Sequence, residues 1–281
     1  MDIGVEIFPT DQVPLPGRVA AEAEARGIES IWFPEHTHIP TSRATPFPGG
    51  EPLPEHYRRT LDPFAAIASA SAVTTTLRLA TGICLLAQRD PIVTAKEVAS
   101  VDYLSGGRFI FGIGVGWNIE EMQDHGVDPK RRRALVREKV LAMRALWTQD
   151  EAAYEGEYVS FAPSWSWPKP IQQPQPPIVI GGAAGPTTFA QVVEYADGWM
   201  PIHGRREIFP RLPELRARAE QAGRDPASIE LGVFGVPPVA DVLASYAANG
   251  FRRVVIGLPQ DRGEAAILEE LDKAAKFVGA Y

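Results

Sequence analysis

Phe109-Ile110-Phe111-Gly112-Ile113-Gly114-Val115 runs for seven residues without a polar side chain. A strand with one wet face alternates apolar and polar residues. This run does not alternate, so it suits a strand covered on both faces, as in a parallel sheet under helices. Arg253–Leu258 (RVVIGL) has the same character near the C-terminus.

Outward from this run, strand-like and helix-like segments alternate along the chain. Strands are expected at Ile3–Phe8, Ser30–Pro34, Leu77–Leu86, Arg108–Gly114, Pro177–Ile180, Trp199–Ile202, Ile229–Phe234 and Arg252–Leu258. Helices are expected at Pro14–Arg26, from Asp62-Pro63, from Asp90-Pro91 to Leu104, and from Asp128-Pro129 to about Trp147. Four more follow, at Pro186–Ala196, Arg206–Ala222, Pro237–Asn249 and Gly263–Val278. Each Asp-Pro pair sets a capping carboxylate before a proline at the first helical position. Gly27 and Gly106-Gly107 stop the helices before them.

Eight βα units in 281 residues indicate an α/β chain folded as a (β/α)8 TIM barrel. We read residues 1–281 as one domain. A doubly wound open sheet is the alternative, but no switch point is visible. Three inserts interrupt the rhythm: Glu35–Leu61 after strand two, Trp117–Asp128 after strand four, and Glu151–Pro176 before strand five. The first two leave the strand ends where barrel active sites are built. The third holds a plausible hairpin around EGEYVSF.

Composition narrows the function. Lys and Arg number 28 against 35 Asp and Glu, a net charge of −7. No basic block is available to neutralise a phosphate backbone, so nucleic acid is not an expected partner. Hydrophobic residues make up 45%, too many for a disordered chain. The single Cys84 excludes an internal disulfide. MDIGVEIFPT has no basic leader region, and no apolar stretch reaches membrane-spanning length. A cytoplasmic protein without a membrane partner is expected.

Several residue groups could carry chemistry. His36 and His38 follow strand two beside Glu35, an H-x-H pattern found in zinc hydrolases. Later strand ends supply mainly Gly, Ala, Leu and Trp, so no metal site is expected. No G-x-S-x-G elbow exists, and Cys84 falls within an apolar strand as a small core residue. IVIGGAAGPTTFAQ is the best local signal. A strand enters Gly181-Gly182-Ala183-Ala184-Gly185, and Pro186 opens a helix whose free N–H groups favour an anion. Gly114 and Gly116 leave room for a flat ring or a phosphate at the end of strand four. Trp117, Trp165, Trp167 and Trp199 fall at strand ends or in inserts and suggest an apolar or aromatic pocket. Lys130-Arg131-Arg132-Arg133 opens helix four, where cations oppose the helix dipole. An acidic ligand tail or nearby carboxylates would explain them.

These motifs together resemble the bacterial luciferase-like flavin and deazaflavin oxidoreductases, and most closely the branch that uses coenzyme F420, an 8-hydroxy-5-deazaflavin. The carriers are SIWFPEHTHIP, LATGICLLAQRDPIVTAKEVASVDYLSGGRFIFGIGVGWNIEEM, PKPIQQPQPPIVIGG and YADGWMP, in this order along nearly the whole chain. The resemblance implies an oxidoreductase, with the ring in the C-terminal mouth of the barrel. It implies a non-prolyl cis peptide under the ring, here at Gly82–Ile83, with Cys84 next to it. It implies a phosphate on Gly182, Ala183, Ala184 and Gly185, and an acidic tail near Arg131, Arg132 and Arg133. His36 matches the histidine near the reactive ring edge and would orient substrate or relay a proton. Phe8, Glu35, Trp117, Trp199 and His203 are expected to wall a pocket for a small, apolar or flat substrate.

In the sugar-phosphate dehydrogenase branch an acid follows the strand-four G-x-G. Here Trp117 stands there, so sugar-phosphate oxidation is not expected; Glu120 and Glu121 lie one turn further on. The resemblance also makes a homodimer the expected state. An FMN-dependent monooxygenase fed by a separate reductase, and a cofactor-binding protein without turnover, are the alternatives.

Overall fold

Alternation of the two periods produces a closed barrel. The computed structural model describes residues 1–281. Its first half carries β1 (Asp2–Glu6), α1 (Pro16–Ala25), β2 (Ser30–Phe33), α2 (Pro63–Ser71), β3 (Arg78–Thr81), β4 (Cys84–Leu85), α3 (Pro91–Leu104), β5 (Phe109–Gly114), α4 (Ile119–Asp124) and α5 (Arg132–Thr148). The second half carries β6 (Ala152–Glu155), β7 (Ser160–Ser164), β8 (Ile178–Gly181), α6 (Pro186–Tyr195), β9 (Gly198–Met200), α7 (Leu212–Gln221), β10 (Glu230–Phe234), α8 (Ala240–Ala248), β11 (Arg253–Gly257) and α9 (Gly263–Ala275).

All barrel pairings are parallel. β1 pairs with β2 on one side and β11 on the other, and β3 pairs with β5, which closes the ring. Closure excludes the doubly wound alternative. β6 and β7 form the antiparallel hairpin expected in the third insert. No helix is long and apolar enough to cross a membrane.

Period-two alternation sorts each strand into two cores. Trp32, Ala80, Ile110, Val179, Met200, Phe234 and Val255 meet inside the barrel. The intervening residues, among them Val5, Ile31, Phe109, Phe111 and Trp199, join the larger core between strands and helices. At the N-terminal end Arg253 is buried between Glu29 and Glu230, with Glu29 Oε1 at 2.7 Å. A buried charge is tolerable there because two carboxylates pair with it.

Helix starts follow the Asp-Pro reading at two of three places. The Asp62 carboxylate accepts from the Ala65 N–H, and Asp90 from those of Ile92 and Val93. Such caps stabilise by about 1 kcal/mol each. Asp128 instead accepts from Lys130 N in a turn, and α5 begins at Arg132. The expected third strand is also two pieces, β3 and β4, separated by a cis Gly82–Ile83 bond. The expected helix at Arg206 begins only at Leu212. α4 was not expected; Asn118 caps it, accepting from Glu121 N.

Candidate functional site

His36 leaves the end of β2 and is almost fully buried. Its Nδ1 donates to Oε2 of Glu121 on α4, 2.9 Å away. Nδ1 is thereby engaged, and Nε2 has no partner within the chain. The ring stands edge-on to Trp117 (5.9 Å) and tilts against Tyr57 (5.2 Å). Phe47 touches both Tyr57 and Trp117 at 4.9 and 5.6 Å, and the Arg43 guanidinium lies over the Trp117 ring. The first insert is therefore anchored over the mouth by an aromatic cluster that keeps water from the imidazole. Glu120 points elsewhere: it accepts from the backbone N–H and hydroxyl of Thr45 and ties the insert to α4. Of the two glutamates after Trp117, only Glu121 reaches the histidine.

Beside this pair the chain forms a shelf. Ile83, on the far side of the cis bond, projects over β5 and β8. A Cβ on Gly114 would come within 1.9 Å of Ile83 Cδ1, and one on Gly181 within 2.8 Å of its Cγ2. Glycine at both positions is what lets the isoleucine sit there. The shelf is held from behind. Glu35 accepts from the Leu85 N–H (2.7 Å) and the Arg89 guanidinium (2.6 Å). Lys139 Nζ donates to the carbonyls of Leu86, Ala87 and Arg89, and burial lowers its pKa to about 8.

The third element is the turn from β8 into α6. The N–H groups of Gly182, Ala183, Ala184, Gly185, Thr187 and Thr188 donate to nothing in the chain. Of these residues Gly182 and Thr188 line a cleft together with Gln191, Tyr195 and Arg133. Arg133 Nη1 donates to Gln191 Oε1 at 2.6 Å, leaving the rest of its fork toward the cleft. Burial, with Arg132 beside it, lowers the Arg133 pKa, as expected of a cation without a counter-ion. Free amides at a helix start beside such a guanidinium suit a phosphate.

The structure thus brings together His36, Gly82, Ile83, Gly114, Gly116, Trp117, the Gly182–Gly185 turn and Arg133 at one end of the barrel. Other expected residues lie elsewhere. Trp199 faces away from the barrel axis, edge-on to Phe189 at 5.1 Å, and its Nε1 donates to the Gly182 carbonyl. It braces the turn and walls no pocket. His203 turns outward to α8, where Nδ1 meets the Tyr246 hydroxyl at 2.8 Å. Glu35 supports the shelf from behind. Cys84 is fully buried in the outer core, and burial with Glu35 nearby pushes its thiol pKa up. Arg131 pairs with Glu157 and Tyr158 at the surface, and Arg132 donates to the Pro129 carbonyl. Of the basic block, Arg133 alone lines the cleft. Phe8 leans on His56 and Tyr57 and reaches the rim. Trp165 and Trp167 are exposed next to the β6–β7 hairpin, away from the mouth.

Two groups escaped the sequence reading. Tyr57 sits at the centre of the aromatic cluster, and burial raises its pKa to about 12. Glu6 occupies the last inward position of β1. The alternation Gly4-Val5-Glu6 could have shown it, because Gly4 faces Trp32 inside and Val5 lies outside.

A flat ring and a phosphate both fit what these residues offer. The sequence profile of the luciferase-like monooxygenase family matches residues 16–277. The chain is 43% identical over 282 residues to an uncharacterized protein of Mycobacterium tuberculosis, covering 99% of each. Among solved structures it superposes on the coenzyme F420-dependent tetrahydromethanopterin reductase of Methanopyrus kandleri. That TM-score is 0.78 at 19% identity, over 99% of this chain and 98% of the other. It superposes equally on the monooxygenase RslO1 of Streptomyces bottropensis, with TM-score 0.80 at 19% identity over 98% of each.

Proposed function

Because this chain belongs to the luciferase-like monooxygenase family, we propose that it is an oxidoreductase transferring a hydride between coenzyme F420 and a small, apolar or flat organic substrate. One observation carries the reading. In strand order, the Ile83 shelf at the end of β3 lies between His36 at the end of β2 and the amide cradle after β8, where Arg133 stands. A ligand with a flat ring at one end and a phosphate at the other spans that arrangement.

The residues that would hold the coenzyme are Ile83 at its ring, seated in the space that Gly114 and Gly181 leave, and the Gly182–Gly185 turn with Arg133 at its phosphate. When bound, it supplies a hydride donor or acceptor at C5 of the ring. The chain supplies the rest. The Phe47, Tyr57 and Trp117 cluster excludes water from the mouth. Glu121 fixes His36 through Nδ1, which leaves Nε2 to hold the proton that must accompany a hydride onto a polar C=O or C=N bond. Reduction adds one hydride to carbon and one proton to the heteroatom, and the imidazole serves either direction.

Deuterium labelling tests this reading. Protein given reduced F420 carrying deuterium at C5, with a panel of small ketones and enones, should place deuterium on the product carbon. Oxygen uptake and an oxygenated product with reduced FMN, in the same panel, would instead support the monooxygenase alternative.

A further inference from the structure

The buried face of α6 carries a polar stripe where a helix covering a barrel ordinarily buries apolar residues. Thr188, Gln191 and Tyr195 stand at i, i+3 and i+7, so they share one face of the helix. Their exposures are 5%, 8% and 2%, and all three line the cleft beside the β8–α6 turn. Phe189 and Val192 on the adjoining stripe fill the core. Packing alone therefore does not call for polar neighbours.

Hydrogen-bond polarity along this stripe is fixed from one end. Arg133 has donors only, so the Gln191 atom it meets at 2.6 Å is Oε1. Nε2 then faces the Tyr195 hydroxyl, also at 2.6 Å, and donates to it. The hydroxyl oxygen accepts in that bond, and its hydrogen has no acceptor within the chain. Burial pushes the Tyr195 pKa up, so the hydrogen stays in place. Thr188 is left open in the same way. Thr94 and Thr148 each donate to the carbonyl four residues back. The Thr188 hydroxyl has no partner within the chain and lies against Gly182, where a Cβ would stand 3.5 Å from its Oγ1. Arg133 is the only charged residue lining the cleft, so no carboxylate competes for these donors.

We infer that Thr188 and Tyr195 are phosphate-binding residues that donate their hydroxyl hydrogens to the oxygens of a phosphate ester, and that Gln191 is a positioning residue that holds Arg133 and Tyr195 in donating orientation. The inference deepens the coenzyme reading and rests on it only for which ester fills the cleft. Free amides at a helix start would attract an anion anywhere. Here two buried hydroxyl donors and a guanidinium converge beside them. A buried donor without an acceptor is costly, and an oxyanion supplies several acceptors at once.

Inorganic phosphate titrated into the purified protein by calorimetry tests the site without the coenzyme. Tyr195→Phe and Thr188→Val nearly keep the side-chain shapes and should each weaken phosphate binding about tenfold. Gln191→Glu also keeps the shape, but it gives Arg133 a counter-ion and takes up the Tyr195 hydrogen. It should weaken phosphate further than either, and adding Tyr195→Phe to it should cost nothing more. A merely structural Gln191 would give additive losses instead. A second arm compares F420 with its phosphate-free deazariboflavin fragment. Both hydroxyl variants should weaken F420 about tenfold and leave the fragment unchanged. Absence of phosphate binding in wild type, full phosphate affinity in both hydroxyl variants, or equal losses for coenzyme and fragment would overturn the inference. Failure of F420 to bind beside a phosphate site that depends on Tyr195 would sink the coenzyme reading and leave this one standing.

Discussion

His36 Nδ1 and Glu121 Oε2 lie 2.9 Å apart, joining the end of β2 to a helix that begins five residues after β5. The pair fixes the imidazole and commits Nε2 to the mouth. Glu121→Gln keeps the shape but can present its amide nitrogen to Nδ1 and so favour the other tautomer. We expect kcat to fall about 10²-fold, with the affinity for coenzyme unchanged. Stopped-flow hydride transfer beside a binding titration checks this, and a parallel loss of binding would assign Glu121 to the cofactor site.

The contact of Ile83 with Gly114 makes a steric prediction. Gly114→Ala would place its Cβ 1.9 Å from Ile83 Cδ1. Overpacking of this kind costs ~1–3 kcal/mol, read from urea unfolding. Gly114→Ala with Ile83→Ala should recover most of that loss, because the second change removes the obstructing atoms. Additive effects of the two substitutions would show that the shelf does not rest on Gly114.

Arg133 should carry a measurable share of anion affinity. A charge-assisted pair with phosphate is roughly twice as strong as a neutral hydrogen bond, so Arg133→Met should weaken coenzyme binding about tenfold and flatten its dependence on salt. Arg131→Met, at a surface ion pair with Glu157, should leave both unchanged. Calorimetry at two ionic strengths distinguishes the two arginines.

Glu6 also makes stability depend on pH. Its pKa is raised from the ordinary carboxylate value of 4.5 to about 8. Between those values the folded state holds a proton that the unfolded state has lost, so stability falls as pH rises across that window. Glu6→Gln removes the effect. The variant should match wild type in pH dependence below 4.5 and gain on it progressively through that window, reaching its full advantage by pH 9. Denaturant midpoints at pH 4, 7 and 9 measure the difference, and a constant offset at all three would contradict it.

The barrel was legible because its strands announce themselves. Phe109–Gly114 has no polar face, and Asp62-Pro63 and Asp90-Pro91 mark helix starts by a local mechanism that tertiary contacts did not override. Direction within an element was harder to read. Trp199 lies between Gly198 and Met200, and no polar residue phases that strand, so alternation could not show which neighbour faces inward. Arg131, Arg132 and Arg133 are successive residues at a helix start, about 100° apart around its axis. Only one of three could face the cleft, and the sequence does not say which. The break between β3 and β4 has no local signature, because nothing in Gly82-Ile83 differs from ordinary strand residues. Glu121 was visible as a residue but not as a partner, since 85 residues separate it from His36.

The most direct test is a titration of the purified protein with oxidised coenzyme F420 and, separately, with FMN, followed by tryptophan fluorescence. Trp117 stands 5.9 Å from His36 at the mouth and should report a ring bound on the shelf. The account predicts quenching with micromolar or tighter affinity for F420, much weaker binding of FMN, and a loss of affinity in Arg133→Met. Tight FMN binding with no response to F420 would contradict it.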